Sequence, residues 1–210
     1  NFHNTHTFNH VFKNKKMKKW NEKKTIDKFI DKFKNTHENL FFNENLFAKD
    51  IYKIMNHLGE PFGGGLPSWQ LLKKISSKFK VAIAGVGGDE LFGNYNRQHK
   101  FLNEVKENFY DYENFKKFYF YNKFYLADEN FKKKYTNLKF DKIEETSKIY
   151  FNKFVKRKNK CSVEKNLSLI DFDLGLPDDY LYYNDMFSMA HSVELRTPYL
   201  DHNLVQLAYN

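Results

Sequence analysis

The sequence has very little cysteine and no long apolar run, and each shortage excludes a class of protein. A single cysteine, Cys161, rules out an internal disulfide and a cysteine-rich zinc site, and it suits a reducing compartment. No apolar run is long enough to span a bilayer, and the N-terminal residues lack the charged-then-apolar pattern of a signal peptide. We therefore expect a soluble, cytoplasmic protein without a membrane partner.

The two ends of the sequence suggest a piece of something longer. The 210 residues suffice for one domain with a real core, or for one domain with an appendage. The sequence does not begin with Met, and apolar periodicity is still running where it stops at Asn210. We expect it to be part of a longer chain.

Positive charge is in excess, with a formal net charge of +9. Most of the 35 basic residues are interspersed with 26 acidic ones, as on a solvated surface, although two basic runs stand out at 13–24 and 155–160. Lys, Asn, Phe, Ile and Tyr are abundant together and all have A/T-rich codons, so base composition accounts for much of the bias. Charge without a recognition motif is weak evidence, and we do not expect nucleic acid to be the main partner.

The first half alternates between strand and helix patterns. Residues 5–12 and 37–42 are β-prone and predict strands. Residues 22–33 and 45–58 have apolar side chains at helical spacing. Glycines and prolines break the pattern over 59–70, where Ser68 is placed to cap a following helix. The run KVAIAG then predicts a short buried strand, and the alternation indicates an α/β fold with a mostly parallel sheet.

From about residue 98 the chain becomes rich in aromatic residues and lysine. We predict that 98–210 is mainly helical and that 1–97 forms the α/β part. The simplest explanation of the dense Phe and Tyr residues is core packing. Near the end of the sequence we predict a helix, a break at Pro198 and a second helix begun by Asp201.

The stretch most informative about function is VAIAGVGGDELFGNY, residues 81–95. A parallel strand that ends in glycines and leads into a helix places free N–H groups where α/β folds bind phosphates. Gly85, Gly87 and Gly88 permit close approach by a ligand, because no Cβ intervenes. Asp89 falls in the first turn of the helix, where a carboxylate either complements the helix dipole or holds Mg²⁺ against pyrophosphate. A phosphate site and a structural turn both remain open on this evidence.

Two better-known phosphate motifs do not fit this loop. The dinucleotide pattern G-x-G-x-x-G requires glycine where Glu90 stands, and no Gly-Lys-Ser/Thr of a P-loop follows.

Three segments resemble the synthetase domain of glutamine-hydrolysing asparagine synthetases, which belong to the ATP pyrophosphatase group. GVGGDELFGNY resembles that family's S-G-x-G-G-D-E-x-F-G-G-Y motif, and HLGEPFGGGLP resembles its H-x-D-E-P-F stretch. DMFSMAHSVELRTPYLDHNLV is similar to D-x-x-S-M-A-x-S-x-E-x-R-x-P-F-L-D. The resemblance implies a parallel sheet flanked by helices, similar to the adenine nucleotide alpha hydrolases.

The resemblance also implies a chemistry and a set of site residues. In the family, a substrate carboxylate attacks the α-phosphorus of ATP, pyrophosphate leaves, and ammonia from a glutaminase domain attacks the acyl-adenylate. The substrate implied here is aspartate or another carboxylate, with ATP and Mg²⁺ as cofactors. By position, Asp89 holds the magnesium, Gly85 lies against the nucleotide through its backbone, and Gly87 and Gly88 shape the same loop. His10 lies near adenine, mainly through its main chain.

Other polar residues have a structural interpretation beside the functional one. Glu90 is expected to anchor the loop, whereas Glu60 has either a site role or a loop-anchoring role. Glu194 and Arg196 are expected to form a buried pair that positions the helix break. His191 is expected to be a packed or capping histidine, and His3, His6 and His10 lack the acids or cysteines that a metal site needs.

Several family features are replaced or missing. Ala84 stands where the family usually has Ser, and Val86 stands where some members have an acid. The S-G-G-x-D-S pyrophosphate loop is expected before Thr7, the glutaminase domain before that, and a Lys-bearing loop after Asn210. The chain alone is therefore expected to be inactive, and we assign no catalytic residue.

Three hypotheses follow from the sequence. The first is part of an ATP-dependent amide-forming synthetase, with asparagine synthesis as the leading reaction. The second is an inactive relative that binds nucleotide or a partner. The third is a nucleic-acid-binding protein, which net charge alone supports.

Overall fold

The fold is taken from a computed structural model that describes residues 5–14, 17, 21–60, 65–93, 95–124, 134 and 141–210. His3 and residues 61–64 of the predicted break lie outside these ranges. Among the helices in these ranges, none has both the length and the apolar character needed to cross a membrane.

The chain divides into two compact units, each built from two segments. The first unit combines Asn1–Ala84 with Tyr182–Arg196, and the second combines Gly85–Leu181 with Thr197–Asn210. These cuts differ from the boundary near residue 97 that the sequence suggested, and a domain boundary at that position remains a prediction.

The first unit begins with a parallel pair of strands. Strand β1 (His6–Val11) pairs in parallel with β2 (Thr36–Phe41), and His10 lies opposite Leu40. The helix Lys23–Phe33 connects them and ends at Lys34, whose φ of 53° is left-handed. Both predicted strands and the predicted helix are confirmed.

Two helices follow in the first unit. A 3₁₀ turn, Glu44–Leu46, leads into the helix Phe47–Leu58, as the periodicity predicted. The helix Leu66–Ser76 begins after Gly65 and carries a proline in its first turn. The predicted cap at Ser68 is wrong, because Ser68 lies inside this helix. Pro67 is tolerated near the helix start, where the first N–H groups have no helical partner in any case.

A second parallel pair of strands completes the first unit. Strand β3 (Val81–Ile83) pairs with β4 (Glu194–Arg196), a strand that the sequence analysis did not predict. The predicted burial of β3 is wrong, since Val81 is 43% and Ile83 is 76% exposed. Their neighbour Ala82 faces the opposite side and packs on the core.

The predicted pair between Glu194 and Arg196 forms, but on the surface. Arg196 Nε lies 2.8 Å from Glu194 Oε1, with both side chains more than 60% exposed. The predicted burial is wrong, because the two residues are separated by one position on β4 and share its outer face.

The core of the first unit is formed mainly by its helices. Trp69 packs edge-on against Phe187 of the helix Tyr182–Ala190, and the ring of His191 lies 4.4 Å from Trp69. His191 is therefore a packed histidine, as expected, and burial lowers its pKa. The buried members of this core are Ile54, Leu58, Leu66, Trp69, Leu72, Ile75, Phe187 and Val193.

The second unit is helical in the described ranges, with an aromatic core. The rings of Phe115 and Phe154 stack at 5.2 Å, and Phe101 contacts both edge-on. Core packing is confirmed as the reason for the dense aromatic residues. The helical segments are Gly88–Phe92, Asn96–Glu104, Tyr112–Phe115, Lys116–Phe120, Tyr121–Phe124, Asp141–Lys156, Val163–Ile170, Asp171–Leu181, Pro198–Leu200 and His202–Tyr209.

One of these segments, Asp171–Leu181, is a π-helix that contains Pro177. Its first residue, Asp171, is fully buried, forms a 2.9 Å ion pair with Arg97, and accepts a hydrogen bond from Gln98 Nε2 at 2.9 Å. The guanidinium of Arg97 also lies 3.5 Å from the ring centre of Tyr95. A buried polar network therefore ties this segment to the helix Asn96–Glu104.

The last helix, His202–Tyr209, begins where the sequence predicted. The carboxylate of Asp201 accepts hydrogen bonds from the N–H groups of Asn203 and Leu204 at 3.0 and 3.3 Å. These bonds lower the pKa of Asp201. The predicted helix cap is confirmed.

Candidate functional site

The glycine loop, residues 85–88, follows β3 as a tight turn that leads into a short helix. The N–H of Gly88 donates to the carbonyl of Gly85 at 3.2 Å, and the helix Gly88–Phe92 begins there. Asp89 falls in its first turn, as predicted. Gly93 ends the helix with a left-handed φ of 65° and donates to the carbonyl of Asp89.

Gly87 is fixed by backbone shape and by packing. Its φ is +93°, a conformation that side chains with a Cβ rarely adopt. A Cβ at this position would lie 2.3 Å from Leu200 Cδ2 and 3.0 Å from its Cγ. The space beside Gly87, where we expected a ligand to approach, is therefore filled by Leu200. A direct role for Gly87 in nucleotide binding remains a prediction.

Gly85, Gly88 and Asp89 line one open cavity of about 410 Å³ together with Phe92 and Tyr199. The ring of Tyr199 lies 3.4 Å from where a Cβ of Gly88 would stand, so the absence of a side chain there lets the ring approach the loop. Phe92 and Tyr199 meet edge-to-face, 6.0 Å apart. The cavity is thus lined by a glycine turn, one acidic residue and two aromatic rings.

Glu90, beside Asp89, has a buried and structural role. Its side chain is 2% exposed, and its Oε1 accepts a hydrogen bond from the hydroxyl of Tyr95. Burial raises the pKa of Glu90, and the hydrogen bond from Tyr95 opposes this. The expected anchoring role of Glu90 is consistent with these contacts.

His10 and Glu60 belong to the first unit. The ring of His10 contacts those of Phe12 and Phe42, burial lowers its pKa, and its Nε2 has no hydrogen-bond partner in the described part of the chain. Glu60 accepts a hydrogen bond from the Tyr183 hydroxyl at 2.9 Å, which favours its loop-anchoring interpretation. Binding roles for both residues remain predictions.

A magnesium ion at Asp89 would need oxygen ligands from the substrate. Within the described ranges, no group of three or more His, Cys, Asp or Glu side chains could hold a metal. Magnesium is commonly held by one or two carboxylates together with substrate phosphates. One carboxylate that lines a cavity beside two glycines fits that mode of binding.

Comparison with known proteins identifies the family. The sequence matches the family described as "Asparagine synthase" over residues 2–210. The chain belongs to the asparagine synthase family. A curated protein of Methanocaldococcus jannaschii, "Putative asparagine synthetase (glutamine-hydrolyzing) 2", is 34% identical over 92 residues. That match covers 43% of this chain and 17% of the archaeal protein.

Family membership confirms the resemblance found in the sequence, whereas several residues around the loop were missed. Phe92 lay inside the first recognised segment without an assigned role, and Tyr199 and Leu200 lay inside the third. Tyr209, which also contacts the loop, carried no signal beyond its place in a helical pattern. The first and third recognised segments of this family member meet at one cavity, which neither segment indicates alone.

Proposed function

We propose that the chain contributes the nucleotide-binding part of an ATP-dependent amidotransferase that makes asparagine or a related amide. The observation that carries the proposal is that Gly85, Gly88 and Asp89 line one cavity in a member of the asparagine synthase family. The substrates are a carboxylic acid, with aspartate first, and ammonia derived from glutamine. The proposed location is the cytoplasm.

Each loop residue has a defined task in this proposal. The carboxylate of Asp89 would hold Mg²⁺, and the ion would supply positive charge next to the pyrophosphate leaving group. In this proposal the backbone of Gly85 lies against the nucleotide, in a turn that is closed by the hydrogen bond from the Gly88 N–H to the Gly85 carbonyl. A carboxylate oxygen of the acid attacks the α-phosphorus as pyrophosphate leaves, and ammonia then displaces AMP from the acyl carbon.

The proposal is tested by ATP–pyrophosphate exchange in the full-length protein with a panel of carboxylic acids. Aspartate should support exchange, and Asp89→Ala should reduce it at least about a hundredfold, because loss of one transition-state charge contact costs several kcal/mol. Asp27→Ala is the matched control, since Asp27 is a surface carboxylate paired with Lys23 one helical turn away. It should leave both exchange and thermal unfolding unchanged.

The same assay separates the proposal from its rivals. Normal exchange by Asp89→Ala would remove Asp89 from the site. Absence of exchange with every acid, together with Mg²⁺-ATP binding by wild type, would favour the inactive relative. Retention on a polyanion that weakens steeply with salt would instead support nucleic-acid binding.

A further inference from the structure

The helix Gly88–Phe92 is too short to hold Asp89 in place by itself. It has five residues, whereas isolated helices below about 12 residues are marginal in water. Its geometry must therefore come from contacts with the rest of the second unit. These contacts decide whether the carboxylate of Asp89 faces the cavity.

Two of these contacts are made by Glu90, the residue next to Asp89. The buried carboxylate of Glu90 is held by the Tyr95 hydroxyl. Its main-chain carbonyl, in the last turn of the helix, accepts a hydrogen bond from the hydroxyl of Tyr209 at 3.0 Å. The last carbonyls of a helix have no partner within the helix itself, so a side chain from elsewhere has to supply one. Glu90 is thus fixed at both its side chain and its backbone.

Tyr209 is itself held firmly. Its ring meets Phe172 edge-on at 5.6 Å, and its main-chain carbonyl accepts a hydrogen bond from Lys165 Nζ. Earlier in the same segment, Leu200 fills the space beside Gly87. The segment 198–209 therefore holds the glycine loop at two points, before and after Asp89.

We propose that Tyr209 is a positioning residue for the Asp89 site: its hydroxyl holds the Glu90 carbonyl and so keeps the Asp89 carboxylate directed at the magnesium of a bound pyrophosphate or ATP. This inference rests on the proposed function. Tyr209 does not itself touch the ligand in this account, and Phe92 and Tyr199 form the wall of the cavity instead.

The test compares three variants of the full-length protein by titration with Mg²⁺ at fixed pyrophosphate, followed by calorimetry. Tyr209→Phe removes one hydroxyl and keeps the ring, and it should weaken Mg²⁺-pyrophosphate binding about fivefold, the size that one net hydrogen bond supports. Asp89→Asn should abolish the magnesium dependence.

Tyr112→Phe is the matched control in that comparison. The hydroxyl of Tyr112 makes a 2.6 Å hydrogen bond to Ser147 in the same unit, and Tyr112 does not line the cavity. Its loss should lower thermal stability as much as Tyr209→Phe does, while the affinity for Mg²⁺-pyrophosphate stays at the wild-type value.

Each result has a defined meaning. A fivefold loss in Tyr209→Phe with none in Tyr112→Phe supports the positioning role. Wild-type affinity in Tyr209→Phe, with loss of magnesium dependence in Asp89→Asn, overturns the role of Tyr209 and leaves the proposed function intact. Equal weakening by Tyr209→Phe and Tyr112→Phe also overturns it, because the effect is then general destabilisation. Unchanged magnesium dependence in Asp89→Asn overturns the metal site and the inference together.

Discussion

Replacement of Gly87 by alanine tests whether the glycine loop is locked by packing as well as by backbone shape. The φ of +93° makes any side chain unfavourable at this position, at a cost of about 1–2 kcal/mol. The new Cβ would also lie 2.3 Å from Leu200 Cδ2. Because that atom ends a flexible side chain, Leu200 should rotate away, and the overpacking cost should fall near the low end of its range, about 1 kcal/mol. We expect Gly87→Ala to destabilise the protein by about 2–3 kcal/mol.

Gly59 provides the matched control for this substitution. It has a similar φ of +73°, but no atom of the described residues lies within 4 Å of where its Cβ would stand. Gly59→Ala should therefore cost only the backbone term, about 1–2 kcal/mol. In a Leu200→Ala background, the destabilisation caused by Gly87→Ala should fall to the value for Gly59→Ala, because the clashing atoms of Leu200 have been removed. The difference is the coupling energy that a double-mutant cycle isolates.

Urea unfolding gives the global cost, and amide hydrogen exchange gives the local one. The informative amides are those of Leu91 and Gly93, which donate to the carbonyls of Gly87 and Asp89 at 3.0 and 2.9 Å. Both should exchange faster in Gly87→Ala. The reasoning fails if Gly87→Ala costs no more than Gly59→Ala, or if Leu200→Ala leaves its cost unchanged, since the contact with Leu200 would then contribute nothing.

Two further predictions concern buried charge in the second unit. Burial raises the pKa of Glu90, so the folded state binds a proton on this carboxyl group more tightly than the unfolded state does. The protonated carboxyl group therefore contributes to stability at low pH, and this contribution is lost as the pH rises through the raised pKa. Glu90→Gln still accepts the hydrogen bond from Tyr95 and should flatten that part of the stability–pH profile; parallel profiles for the two proteins would contradict the prediction. Arg97→Met should cost about 3–5 kcal/mol in urea unfolding, because it leaves the fully buried carboxylate of Asp171 without its ion pair. Adding Asp171→Asn to Arg97→Met should recover part of that loss. If Arg97→Met alone costs less than about 1 kcal/mol, the buried ion pair does not contribute as proposed.

Local patterns predicted the first half of the fold well. The strand His6–Val11 and the helix Lys23–Phe33 have their own periodicities of two and of about 3.6 residues, and both form where those periodicities run. The helix His202–Tyr209 begins at Asp201 because the capping carboxylate acts on the next residues in the chain. Features set by neighbours in sequence were therefore accessible.

The misses have two physical causes, which are pairing with a distant segment and competition between neighbouring helix-start signals. Strand β4 has three residues, too few for any periodicity, and exists because it pairs with β3. Ser68 had the chemistry of a cap, but the left-handed conformation of Gly65 and the tolerance for Pro67 let the helix begin earlier. Strand β4 thus depends on a distant partner, whereas the early helix start is local and was missed because Gly65 and Pro67 were interpreted as part of the break.

The candidate site also combines features that the local sequence predicts with features that distant residues set. The glycine and acid spacing revealed the loop and Asp89, because close approach and negative charge leave a local signature. The partner of the Glu90 carbonyl lies 119 residues away at Tyr209, and the partner of Gly87 is Leu200 in the same late segment. Contacts of this kind depend on the tertiary fold, and a single sequence offers no pattern for them.

The outward-facing side of β3 has a practical consequence for work on this protein. In the described residues β3 is hydrogen-bonded to β4, and Val81 and Ile83 present branched apolar side chains to solvent. Exposed branched apolar side chains on a strand raise the tendency of a protein to self-associate, and natural proteins often place lysine at such positions. Storage at high concentration therefore favours association through these apolar side chains, and Ile83→Lys is the natural choice for a sample that stays monomeric.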